Sequence, residues 1–123
     1  MATYDKPIYQ SFSVHANAGI STTADIFQFV SPTGMKGRIV AMSIVLETAN
    51  TGTSGVIDIG IPGNTNLYGT FTVPVTAIDL AVQPTAAQLA AFTDLPADTV
   101  ITIDGDGAGT GGKVDLIVTV AWW

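Results

Sequence analysis

Apolar residues recur at every second position along most of this chain. Phe12 and Val14 alternate with Ser11, Ser13 and His15, and Phe27 and Phe29 flank Gln28. Ile57, Ile59 and Ile61 alternate with Val56, Asp58 and Gly60, and Phe71 and Val73 with Thr70 and Thr72. Ile78, Leu80 and Val82 alternate with Asp79 and Ala81, and Ile101 and Ile103 with Val100 and Thr102. A period of two sends neighbouring side chains to opposite sides of an extended backbone, so each run predicts a strand with one buried face. Two longer runs complete the set. In the first, Val40, Met42, Ile44 and Leu46 share one face, while Ile39, Ala41, Ser43, Val45 and Glu47 share the other. In the second, Val114, Leu116, Val118, Val120 and Trp122 oppose Lys113, Asp115, Ile117, Thr119 and Ala121.

Turn-forming residues separate these runs: Asn17-Ala18-Gly19, Ser31-Pro32-Thr33-Gly34, Asn50 to Gly55, Pro62-Gly63-Asn64, and the Gly-rich stretch from Asp104 to Gly112. About eight short strands spaced by turns predict an all-β fold: a single antiparallel β-sandwich, jelly-roll-like, built of two packed sheets. One segment departs from the period. Residues 84–92 are rich in alanine, and Thr85 with Gln88 matches a capping box, so a single short helix is expected near 85–92. Its Leu89 and Phe92 would pack over one end of the sandwich.

The second faces of the two long strands are unusual. A sheet surface that meets water should carry many charged side chains. Here Ile39, Ala41, Ser43 and Val45, together with Ile117, Thr119, Ala121 and Trp123, are neutral or apolar. They are expected to meet protein, most simply another subunit. Composition sharpens the point. Asp, Glu, Lys and Arg make up only 11% of the 123 residues, against roughly 25% in ordinary globular domains.

The net charge of −6 arises from four basic and ten acidic residues. Four scattered bases (Lys6, Lys36, Arg38 and Lys113) cannot neutralise a run of phosphates, so nucleic acid is not an expected partner. An anionic membrane surface is excluded on the same ground. Residues 1–7 lack a basic region followed by an apolar run, so no signal peptide is expected, and the apolar stretch from Ile39 to Leu46 is too short for a spanning helix.

Candidate chemistry is sparse. The chain has one histidine, one glutamate and no cysteine. His15 lies among serines, but no nucleophile-elbow pattern accompanies it, so it reads as a surface or interface side chain rather than a catalytic base. By ligand counting, one His without Cys excludes a zinc site. Asp104 and Asp106 stand one residue apart in a Gly-rich stretch and are the best candidates for a hard cation such as Ca²⁺. Ala108 occupies the place of the third oxygen ligand an EF-hand would need, and no Glu closes the loop, so neither a metal nor another cofactor is expected. Trp122 and Trp123 close the chain, and alternation sends one ring inward and the other outward. An outward Trp fits an interface or a sugar-stacking surface.

Several segments together carry a resemblance. These are the polar arm from Ala2 to Gln10, the stretch Ser31-Pro32-Thr33-Gly34-Met35-Lys36-Gly37-Arg38-Ile39, the stretch from Leu95 to Ile103, the Gly-rich loop, and the closing strand from Val114 to Trp123. Over the whole length this layout resembles the small capsid decoration (cement) proteins of tailed bacteriophages. The resemblance implies an N-terminal arm over residues 1–10 and a β-sandwich domain over 11–123. It also implies a homo-oligomer, a trimer in the expected case, that sits on the virion surface after synthesis in the host cytoplasm. Such proteins bind the major capsid protein and stabilise the shell; they bind and do not turn over a substrate. On this reading Tyr4, Pro7, Ile8 and Tyr9 strap a neighbouring subunit, and Ile39, Ala41, Val45, Ile117 and Trp123 belong to the protein-facing surface. The alternative is a head-fibre or tail receptor-binding module that uses Trp122 or Trp123 on glycans.

Overall fold

The computed structural model describes residues 7–19, 24–47, 50–51, 55–74, 81–105, 110–111 and 113–123. Among the described residues ten strands are formed: β1 (Ile8–Gly19), β2 (Ala24–Val30), β3 (Gly37–Leu46), β4 (Asn50–Thr51), β5 (Gly55–Ile61), β6 (Asn64–Val73), β7 (Ala81–Val82), β8 (Val100–Gly105), β9 (Thr110–Gly111) and β10 (Lys113–Trp122). One short helix, α1 (Ala86–Ala90), lies between β7 and β8. The main sheets each hold four strands, ordered β1-β10-β3-β7 and β2-β8-β5-β6, and β4 pairs with β9 in a separate two-stranded ribbon. All the pairings are antiparallel.

Apart from that ribbon, the chain changes sheet at every connection except the β5–β6 hairpin. Both sheets therefore contain strands from both halves of the chain, which is the interleaved Greek-key arrangement of a jelly roll. The hairpin itself follows from Pro62-Gly63. Proline presets the first central position, and Gly63, at φ 88°, takes the left-handed second one that a type II turn requires.

The inward residues of the two sheets meet in one core. Ile44, Leu46, Ile57, Ile59, Ile101, Ile103, Val114 and Val118 are completely buried. The β1–β2 side of the core is aromatic: Phe12 stacks on Phe29 at 4.4 Å, and Phe29 meets the edge of Trp122 at 6.2 Å. Trp122 is 1% exposed, and its indole N–H donates to Gln10 Oε1 at 3.1 Å. The ring lies so close to Gly37 that a Cβ there would sit 2.3 Å from it, so the strand that faces Trp122 needs a residue without a side chain.

The short helix forms where Thr85 and Gln88 predict it. Thr85 Oγ1 accepts from the Gln88 amide at 3.2 Å, and the Thr85 amide donates to Gln88 Oε1 at 2.7 Å. Leu89 is half-buried and Phe92 is 2% exposed, so the helix is anchored by the two residues that periodicity selects. No helix among the described residues is long and apolar enough to cross a membrane.

A buried serine ties two connections together. Ser31 Oγ donates to the Pro96 carbonyl at 2.7 Å and accepts from the Thr99 amide at 2.8 Å, while Asp98 Oδ2 accepts from the Gly34 amide at 3.3 Å. Ser31 is 3% exposed. Alanine at this position removes both bonds of a buried hydroxyl to part-buried backbone groups, so Ser31→Ala is expected to destabilise the fold by about 1–2 kcal/mol. The urea midpoint measures it directly.

Beyond the turn expected at Asn17-Ala18-Gly19, which is instead the last stretch of β1, three expectations need correction. Strict alternation places Ile39 on the outer face of β3, but the β3–β10 register pairs Ala41 with Thr119 and Ile39 with Val120. Val40 is thus the extra residue of a β-bulge, which reverses the facing of everything before it. Ile39 is 2% exposed and belongs to the core, whereas Val40 is 38% exposed. Second, strand β1 begins at Ile8, so Ile8, Tyr9 and Gln10 pair with Trp122, Ala121 and Val120 instead of forming a free arm. Third, Asp104 lies within β8 and is 2% exposed, not in an open loop; Asp106 lies outside the described residues.

Candidate functional site

The outer face of the β1-β10-β3-β7 sheet carries the surface that composition foreshadows. Cross-strand registers lay it out in rows. Tyr9, Ala121 and Arg38 form one row; Ser11, Thr119 and Ala41 the next; Ser13, Ile117 and Ser43 the third; and His15, Asp115, Val45 and Ala81 the fourth. Alternation within each strand puts all of these side chains on the face opposite the core.

The two middle rows contain only Ser, Thr, Ala and Ile. The hydroxyls of Ser11 and Thr119 lie 2.9 Å apart and satisfy one another. Hydroxyls already paired lose less when water is removed, so this surface is inexpensive to cover. Ile117 stands at its centre with 47% of its surface exposed. Shallow depressions flank it. One, of about 370 Å³, is lined by Ser13, His15, Ser43, Val45 and Asp115. The other, of about 290 Å³, runs toward α1 between Ala41, Thr119, Gln83 and Leu89.

Charge is confined to the rims. At one end Arg38 Nη1 approaches Asp94 Oδ1 at 3.3 Å, and Nη2 donates to the Ala90 carbonyl at 3.2 Å, so its charge is held toward the helix. At the other end His15 Nδ1 lies 2.6 Å from Asp115 Oδ1 and 3.4 Å from Glu47 Oε1. His15 and Asp115 are direct cross-strand partners, and Glu47 follows the end of β3 two residues beyond Val45, the partner of Asp115 on the other side.

Apolar side chains also gather at one end of the sandwich. Ile8 and Tyr9 at the start of β1 are 59% and 65% exposed. Val30 and Val100 are cross-strand partners at the corresponding end of the second sheet and are 65% and 40% exposed. Trp123 is half-buried nearby, with its backbone paired to Lys36 in both directions at 2.9 Å. Of the residues singled out by sequence, Ala41, Val45 and Ile117 share the outer sheet face, while Pro7, Ile8, Tyr9 and Trp123 lie at this end. Tyr4 lies outside the described residues, and Ile39 is excluded by the bulge. Trp122 is buried, which removes it as a sugar-stacking platform.

Sequence reasoning passed over Glu47 and Asp115. Both were visible only as isolated acidic residues on the polar sides of their strands, and nothing local links positions 15, 47 and 115. It also passed over Asp58, which is 2% exposed, sits directly across from Asp104 and accepts from Thr70 Oγ1 at 2.7 Å. The second carboxylate beside Asp104 is therefore a neighbour across the sheet.

Comparison of the chain with protein-family models, with curated proteins and with solved structures gives no match in any of the three.

Proposed function

We propose that this protein is a structural binding protein of a virion, a capsid decoration protein that works as a homo-oligomer on the outer shell. The single observation that carries the reading is the uncharged centre of the outer β1-β10-β3 face. A sheet surface made of Ser, Thr and Ala around an exposed isoleucine, with charge only at its rims, suits burial against protein better than lasting contact with water. Its natural occupant is another copy of the chain, because a neutral face needs no oppositely charged partner and contacts between copies close into a symmetric oligomer.

The sandwich end with Ile8, Tyr9, Val30, Val100 and Trp123 then serves as the contact with the major capsid protein. Aromatic and branched aliphatic anchors concentrated at one end suit attachment to a shell, and tyrosine and tryptophan are the side chains most often found at the energetic centres of interfaces. The resemblance to decoration proteins in the Gly-rich loop and closing strand supports the same assignment. The activity is binding, with no substrate consumed.

Co-sedimentation with phage heads that lack the protein tests this directly. The wild-type protein is expected to pellet with heads saturably, and Tyr9→Ala or Trp123→Ala to weaken that association by about tenfold or more while leaving the circular dichroism spectrum unchanged. A folded protein that stays in the supernatant with heads and instead binds oligosaccharides would overturn the assignment in favour of a receptor-binding module.

A further inference from the structure

The cluster at the rim of the outer face has a chemistry of its own. We propose that His15, Asp115 and Glu47 form a binding site for a divalent transition-metal ion of the Zn²⁺ type. Their ligand atoms all lie within 4.8 Å of one another. A tetrahedral or octahedral ion with bonds of about 2.1 Å needs donor atoms about 3.0–3.4 Å apart. The observed separations from His15 Nδ1, 2.6 Å to Asp115 and 3.4 Å to Glu47, bracket that spacing.

Charge points the same way. Two carboxylates converge on one imidazole, and among the described residues no lysine or arginine lies within ion-pair distance of either. A neutral imidazole leaves two negative charges at close quarters, which a divalent cation neutralises and a protonated imidazole halves. One nitrogen with two oxygens is a donor set suited to borderline ions, while the single nitrogen disfavours Ca²⁺ and Mg²⁺, which take oxygen ligands.

Room for the remaining ligands is present. His15 and Asp115 line the depression of about 370 Å³ on the same face, so water molecules complete the coordination on the open side. Three protein ligands with the rest supplied by water is the pattern of an open rather than a closed metal site. The rule that one His and no Cys exclude zinc fails here because it counts only the two commonest ligand types. Two carboxylates brought beside a histidine by the pairing of β1, β10 and β3 escape such a count.

The site borders the proposed subunit face and shares its depression with Ile117, but the two proposals are tested separately, metal binding by its heat and assembly by its mass. Isothermal titration calorimetry of the full, tag-free chain with Zn²⁺ in chelator-treated buffer is expected to give one ion per chain with micromolar affinity. His15→Ala and Asp115→Asn should each weaken binding by at least tenfold, and Asp94→Asn, at the opposite rim, should leave it unchanged. Co²⁺ gives a second readout, since its visible absorption should appear with the wild type and vanish with His15→Ala. His15 and Glu47 are exposed and Asp115 is half-buried, and circular dichroism checks that each variant keeps the fold. Absence of heat with Zn²⁺, or heat and Co²⁺ absorption that persist undiminished in His15→Ala, would overturn the proposal.

Discussion

Replacing Trp122 with alanine is expected to remove about 3–5 kcal/mol of folding stability, the largest loss of any single truncation in this chain. The indole is 1% exposed, meets Phe29 edge-on and lies directly against the backbone of Gly37, so no neighbouring side chain can swing in to fill the space. The substitution also removes the indole N–H that donates to Gln10 Oε1, although Gln10 is exposed and water can take its place. A domain of this size is stable by about 5–15 kcal/mol, so such a loss consumes a large part of the total. Denaturation in urea measures it. The adjacent residue provides an internal control: Trp123 is only half-buried, and Trp123→Ala should cost about 1 kcal/mol or less. Equal losses at the two positions would contradict the alternation on which the architecture of β10 rests.

The second large effect concerns assembly rather than folding. Ile117→Asp places a carboxylate at the centre of the neutral face. In the free subunit that carboxylate is solvated, because position 117 is 47% exposed, and the cost to folding should stay below about 1 kcal/mol. In an oligomer that buries this face it is an unpaired charge, worth about 3–5 kcal/mol at each contact, or at least two orders of magnitude in the dissociation constant. Sedimentation velocity should therefore find the variant as folded single chains at concentrations where the wild type is assembled. A variant that sediments with the wild type would remove the face from the interface.

Much of this architecture could be read from the alternation of apolar residues. Seven of the runs of period two correspond to strands of the two four-stranded sheets, while of the run from Ile78 to Val82 only Ala81 and Val82 lie among the described residues; the Thr85–Gln88 box caps the helix, and Pro62-Gly63 closes the hairpin. Two kinds of information could not be read. Bulges insert a residue without a local signature, and the one at Val40 turned Ile39 from a surface residue into a core residue. Cross-strand neighbours depend on strand order, which periodicity does not encode. The rows that join Ser11 to Thr119, Asp58 to Asp104 and His15 to Asp115 bring together positions far apart in the chain.

The same limit shaped the reading of function. Sparse charge pointed to a covered surface, and the outer β1-β10-β3 face is where neutral side chains are contiguous. Its composition is less apolar than the alternation of Ile39 and Val45 suggested, because Ser11, Ser13, Ser43 and Thr119 occupy much of it. The paired hydroxyls of Ser11 and Thr119 and the small side chains around them lower the cost of removing water, which suits a protein contact.

The oligomeric mass of the purified wild-type chain tests the central claim most directly. Light scattering coupled to size exclusion, at concentrations in the tens of micromolar, is predicted to give the mass of three chains. A mass of one chain at every concentration would contradict the proposal that this face is built to be covered by a second copy.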